Sequence, residues 1–136
     1  FKLSNVVINK SGGSLELEGD VTINGYLNLG TSNVDALTNT IELISEDANA
    51  VITDGGFIPM SSGGSLKRNI VGNFFYNFPV GTTSPTEKYR PVEVNPNSTT
   101  TNSISVSISG NNPIDDGYGT GTDAEIINNN FYHVII

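Results

Sequence analysis

The chain has 136 residues, enough for one domain with a real hydrophobic core. Its formal net charge is −8 with a pI near 4.3, which argues against nucleic acid and anionic membrane surfaces as partners, because both require a positive field. It contains no cysteine, so disulfides, Cys-based zinc sites and thiol catalysis are excluded.

Apolar content is 36%, charged residues make up only 15%, and there are 15 glycines with abundant Asn, Ser and Thr. Helix formers are few, while β-branched and turn residues are many. This balance predicts an all-β chain. A charge-poor surface solubilised by amides and hydroxyls is common in secreted β-proteins and adhesins. No run approaches the ~18 apolar residues of a membrane span. The first residue is Phe1, which fits a mature chain exported after signal-peptide removal, or a fragment.

In residues 1–60, aliphatic-polar-aliphatic triplets recur: Leu15-Glu16-Leu17, Val21-Thr22-Ile23, Leu27-Asn28-Leu29 and Ile41-Glu42-Leu43. Alternation puts both aliphatic side chains of a triplet on one face. Gly12-Gly13, Gly19-Asp20, Asn24-Gly25 and Gly30-Thr31 supply turns between them. Val21-Thr22-Ile23 precedes Ile41-Glu42-Leu43 by 20 residues, and Val6-Val7-Ile8 precedes Leu27-Asn28-Leu29 by 21. A spacing near twenty fits one coil of a β-solenoid with three short strands per coil. An antiparallel meander is the alternative, with Asn24-Gly25 as a type I′ hairpin turn. One short helical turn is expected at 45–50, with Ser45 as its cap.

The middle stretch, 64–94, is the densest in large side chains. It holds five of eleven aromatics and four of six Lys and Arg. Leu66 to Val71 reads as a strand, so adjacent Lys67 and Arg68 point to opposite faces. Phe74, Tyr76 and Phe78 are expected on one face and Phe75 on the other, both faces covered. Pro79 interrupts pairing because it lacks an N–H. Residues 81–86 read as a loop and Tyr89 to Val94 as a further strand.

Gly64, Leu66, Lys67 and Arg68, then Phe78-Pro79-Val80-Gly81, then Tyr89, Pro91 and Val92 resemble a module of secreted and cell-surface, adhesin-like β-repeat proteins of the Bacteroidetes. The resemblance covers roughly residues 15–95. It implies export to the cell surface, often within larger adhesin-like proteins, and it implies no catalytic residue.

Residues 95–102 read as a polar loop. Ser103 to Ser109 then alternates Ser with Ile or Val throughout, the clearest strand in the chain. Asp115, Asp116 and Asp123 lie on a Gly-rich stretch whose oxygens could hold calcium, although the spacing is not that of an EF-hand and a solvated loop is the preferred reading. Phe131 to Ile136 is an apolar strand that must be covered, by its own sheet or by a neighbour's.

The candidate chemistry is sparse. His133 is the single histidine. There is no Gly-x-Ser-x-Gly elbow, phosphate loop or dinucleotide fingerprint. Glu16, Glu18 and Asp35 could be considered for glycoside hydrolysis, but solvated charge is the simpler reading. Tyr26, Tyr76, Tyr89 and Tyr118 could stack on sugars, with core packing preferred. Lys10 or Lys67 could enter an isopeptide crosslink to an Asn.

The expected fold is therefore all-β: a short β-solenoid-like or meander N-terminal half (1–60) packed on a β-sandwich-like C-terminal half (61–136), forming a single domain. The expected function is structural and extracellular: a filament subunit or adhesin module, joined head to tail by strand addition, without enzymatic activity or cofactor. The alternative is a carbohydrate-binding module. Apolar strands at both extremes, Phe1 to Ile8 and Phe131 to Ile136, with no catalytic set between them, are the motive for the first reading, since exposed sheet edges invite a neighbour's strand.

Overall fold

A computed structural model describes residues 1–60, 62–82, 88–110 and 132–136. The chain winds through four coils, each contributing one short strand to each of three faces. The first coil contains β1 (Lys2–Leu3), β2 (Val6–Val7) and β3 (Ser14–Glu16). The second contains β4 (Val21–Ile23), β5 (Leu27–Gly30) and β6 (Asn33–Asp35). The third contains β7 (Thr40–Leu43), β8 (Val51–Thr53) and β9 (Ile58–Pro59), with a 3₁₀ turn, Ala48–Ala50, before β8. The fourth contains β10 (Ser65–Gly72), β11 (Tyr76–Phe78) and β12 (Val80–Thr82).

Equivalent strands of successive coils pair in parallel. On the first face the outward column runs Lys2, Thr22, Glu42, Lys67. Thr22 lies 20 residues before Glu42, and Thr40 lies 25 before Ser65. The third coil is longer because it carries the 3₁₀ turn. The second face pairs β2, β5 and β8, and the third pairs β3 with β6. β6 meets β9 through Val34 N–H to Phe57 O (3.1 Å) and Ala36 N–H to Pro59 O (3.2 Å), and β9 pairs β12 in parallel. The stacked coil anticipated for the N-terminal half is thus present. The meander alternative is not: β4 and β5 lie in different sheets, so Asn24-Gly25 turns a corner of the coil instead of closing a hairpin.

Corners are where a coil would leave backbone groups unpaired, and side-chain amides and carboxylates meet them there. Asn5 Oδ1 accepts from Tyr26 N–H (3.1 Å), Asp20 Oδ1 from Thr40 N–H (2.7 Å) and Asn33 Oδ1 from Phe57 N–H (3.0 Å). Asn39 Nδ2 donates to Leu17 O (2.7 Å) and Asn69 Nδ2 to Ile44 O (3.1 Å). Each bond joins one coil to the next, which gives the Asn-rich composition a structural use. Gly25 is required at its corner because a Cβ there would collide with the Asn5 side chain.

After the fourth coil the chain reverses and retraces the three faces. β13 (Lys88–Tyr89) lies antiparallel on β12, β14 (Val92–Val94) on β11, and β15 (Ser98–Ser109) on β10. β16 (Tyr132–Ile135) is antiparallel to β15 and completes a six-stranded sheet ordered β1-β4-β7-β10-β15-β16. The C-terminal half thus shares its sheets with the coils.

The interior is built from columns of aliphatic side chains, Val21-Ile41-Leu66-Val106 and Leu3-Ile23-Leu43 on the first face and Val6-Leu27-Val51 on the second. Above Leu43 the second column meets Arg68, which is wholly buried. Its guanidinium lies 5.1 Å from the centre of the Tyr76 ring and 5.7 Å from that of Phe78. Nη1 donates to Asn77 O (2.7 Å), and Nη2 donates to Asp47 O (3.1 Å) and Ala48 O (3.2 Å). Burial lowers its pKa to about 10, with Tyr76 and Asp47 opposing the shift, so it remains protonated near neutral pH. The Tyr76 hydroxyl adds contacts to Glu46 O (2.8 Å) and to Val71 N–H (3.1 Å). Lys67, on the opposite face as expected, pairs with Glu42 at 2.8 Å.

Four sequence expectations need correction. Phe74 and Phe75 are exposed, because strand β11 begins only at Tyr76 and the pair sits on the corner before it. Gly81 and Thr82 belong to β12, where Gly81 lets the Phe57 ring approach the backbone. β15 begins at Ser98, inside the expected polar loop, since backbone pairing with Gly72 requires no apolar side chain. The 3₁₀ turn is capped by Asp47, which accepts from Asn49 N–H (2.9 Å), and not by Ser45, whose hydroxyl instead accepts from Asp47 N–H (3.3 Å).

Two measurements check this packing. Leu43→Ala, at a fully buried position, should cost about 2–5 kcal/mol in denaturant unfolding. Arg68→Met keeps much of the side-chain length but leaves three carbonyls without their donor, and should cost about 3 kcal/mol by the same measurement.

Candidate interaction surface

The two ends of the coil differ. Beyond the fourth coil lie the antiparallel strands β13, β14 and β15. On the far side of the first coil, β1, β2 and β3 have no neighbouring strand among the described residues and form the outer edge of each face.

The hydrogen-bond alternation defines which backbone groups this edge offers. Thr22 N–H bonds Phe1 O (2.7 Å) and Asn24 N–H bonds Leu3 O (2.9 Å), so Lys2 turns its N–H and C=O the other way. Val6 and Ile8 donate to Tyr26 O and Asn28 O, which turns Val7 outward. Leu17 donates to Asp35 O, which turns Glu16 outward. Lys2, Val7 and Glu16 therefore present the groups a further strand would use.

The inward side chains of the first coil have a layer on one side only. Phe1 is 88% exposed, Leu3 43% and Leu15 41%, and Val6 and Ile8 are only partly buried, whereas Leu29 and Leu43 in the next coils are at 0%. Behind them lies a cavity of about 120 Å³, lined solely by aliphatic side chains that include Leu3, Val6, Leu15, Leu17 and Ile23. The recess is half open at the outer side of the first coil, and its wholly apolar lining suits an apolar side chain. Elsewhere on this coil Lys2, Glu16, Glu18 and Asp20 are exposed.

The other sequence candidates are scattered. Glu16 is exposed on the third face and Glu18 in the bend after β3, while Asp35 is buried beside Glu16 in the ladder, with Oδ1 accepting from Leu37 N–H (2.8 Å). His133 Nε2 is 2.9 Å from Arg90 O, a contact that ties β16 to the segment between β13 and β14. Tyr76 is in the core. Tyr89 packs its ring on Phe57 at 5.7 Å, and Tyr26 is partly exposed on a different face. Lys67 is committed to Glu42. Asp115, Asp116, Asp123 and Tyr118 lie outside the described residues. Among the described residues no three acidic or histidine side chains gather as a metal site, and no helix is long and apolar enough to cross a membrane.

Phe1 to Ile8 was legible as apolar strand at one extreme of the chain; the structure divides it into β1 and β2, each paired with the second coil on one side. The role of Leu15 and Leu17 was not, because their triplet looks the same as those of the interior coils. No protein-family model matches the sequence, and neither a curated protein nor a solved structure matches it.

Hydrogen exchange tests this geometry directly. The amides of Lys2, Val7 and Glu16 should exchange near the rate of an open chain, and those of Ile23 and Leu43 slower by several orders of magnitude.

Proposed function

We propose that this chain is a structural module of an extracellular or cell-surface protein, a filament subunit or adhesin unit that assembles by adding strands to the open end of its coil. The observation that carries this reading is the conjunction at that end of outward-facing backbone groups on three strands with an uncovered aliphatic interior. A row of unpaired strand edges backed by exposed apolar surface is a template for another chain. The composition and the Bacteroidetes cell-surface resemblance support export and adhesion. The cavity offers no polar group with which to orient a substrate, which favours assembly over catalysis.

A carbohydrate-binding role is the second reading. It is favoured by Phe74 and Phe75, adjacent aromatic rings 60% and 67% exposed on one corner. Glycan binding lost in Phe74→Ala with Phe75→Ala would support it over assembly.

Val7→Pro separates assembly from folding. Proline removes only the outward N–H of an edge strand, where its ring is tolerated, so the fold should persist. In negative-stain microscopy the parent protein should form linear chains and Val7→Pro should not. Chains of undiminished length from Val7→Pro would count against strand addition at this end.

A further inference from the structure

We propose that the partner of the open end is the same end of a second copy of this chain, related to the first by a two-fold axis perpendicular to the coil and passing through β2. Each β1 then lies antiparallel to the other copy's β3, and the two β2 strands lie antiparallel to each other. This deepens the assembly reading and rests on it.

Three observations select this arrangement. The first is the edge itself. Lys2, Val7 and Glu16, one on each face, turn backbone groups to the open end. The axis through β2 sets Lys2 against the second copy's Glu16 and Val7 against its own counterpart. In an antiparallel ladder these become hydrogen-bonded pairs, each residue giving one N–H and accepting another. The chain climbs as it winds, so β1, β2 and β3 stand at successive heights. The two-fold sets lowest against highest on two faces and middle against middle on the other, so one spacing serves all three. Both copies use the same end, so the number of strands in each face does not enter. The second is apolar register. With Lys2 opposite Glu16, Leu3 stands opposite Leu15, and with Val7 on the axis, Val6 stands opposite Ile8. All four of these aliphatic residues line the half-open recess, so each recess is covered by the other's lining. The third is charge. Lys2 is in the outward column with Thr22 and Glu42, and Glu16 points outward between Leu15 and Leu17, which face the recess. Neither has an ion-pair partner among the described residues. Unlike charges directly across a strand pair attract and like charges repel. An axis through β1 would set Lys2 against Lys2, and one through β3 would set Glu16 against Glu16. Only the axis through β2 joins Lys2 to Glu16, and it does so twice. The contact is isologous and closes on two copies. Linear chains then require a second contact at the far end, where β16 is the outer strand of its sheet among the described residues.

Two measurements on the full chain test the pairing. Lys2, Val7, Glu16 and Ile52 are all exposed, so their variants should retain the parent circular dichroism spectrum. In sedimentation velocity across a concentration series the parent should self-associate. Lys2→Glu and Glu16→Lys should each weaken association about 10-fold, because each turns both cross-copy attractions into repulsions. An equimolar mixture of the two variants should regain most of it, since a mixed pair joins unlike charges at both places. The second measurement uses a single cysteine in a chain that has none. Hydrogen-bonded antiparallel partners have Cα atoms about 5.5 Å apart, within disulfide reach. Val7→Cys should therefore oxidise to a covalent dimer. Ile52→Cys, in the same outward column two coils away, should not. A parent protein still monomeric at about 1 mM would overturn the pairing. Association indifferent to both reversals, with no covalent dimer from Val7→Cys, would also overturn it. In that second case, chains still lost in Val7→Pro would keep strand addition at this end, and chains retained would reject it as well.

Discussion

The fold depends on one constraint: each inward aliphatic side chain must land on its counterpart one coil away. A coil of three short strands has no core of its own. Each strand contributes one or two apolar residues, and those become buried only when coils above and below cover them. Full burial of one such side chain is worth about 1.5–3 kcal/mol, so a coil gains several such increments from each neighbour it acquires. The parallel ladders fix the register that makes this possible, because a slip of one residue would turn Val21, Ile23, Ile41 and Leu43 outward together. The corner amides act in support. They hold Asn5, Asp20, Asn33 and Asn39 against the next coil's backbone, so polar groups at the turns are satisfied without widening the coil.

The same constraint explains why the winding changes character at the fourth coil. The position that Leu3, Ile23 and Leu43 occupy in earlier coils is taken by Arg68, and the next residue of that column, Ile104, comes from the returning antiparallel strand β15. Its charge is accommodated by three backbone carbonyls and two aromatic rings, and the carbonyls come from segments on either side, the 3₁₀ turn and β11. Beyond it the chain doubles back, and β13, β14 and β15 lie antiparallel on the strands just formed. A buried cation and a chain reversal together replace the next parallel layer.

That reversal gives the molecule two unlike ends. One is covered by its own returning chain and displays a basic residue on the third face. At the other, among the described residues, a layer of aliphatic side chains and three strand edges have no covering layer, and Glu16 is exposed on the third face. The outward Lys67–Glu42 pair, partly exposed, is by contrast an ordinary surface ion pair and adds little to stability.

Much of this could be read in the residues themselves. The all-β class and the near-twenty spacing follow from triplets such as Val21-Thr22-Ile23 and Ile41-Glu42-Leu43, because alternation and period are local properties of a strand. The opposed directions of Lys67 and Arg68, and the interruption at Pro79, are local in the same sense. What the sequence left open was which strand lies beside which. Asn24-Gly25 is compatible with a hairpin and with a coil corner, and only pairing of β4 with β7, across residues distant in the chain, decides between them. Phe74 and Phe75 are as apolar as Phe78, yet a corner exposes them while a strand buries Phe78. The open end was half visible, in the apolar strand from Phe1 to Ile8. Its three-sided edge and the apolar recess lined by Leu15 and Leu17 come from stacking, because residues of one local pattern are buried or bare according to whether another layer lies over them.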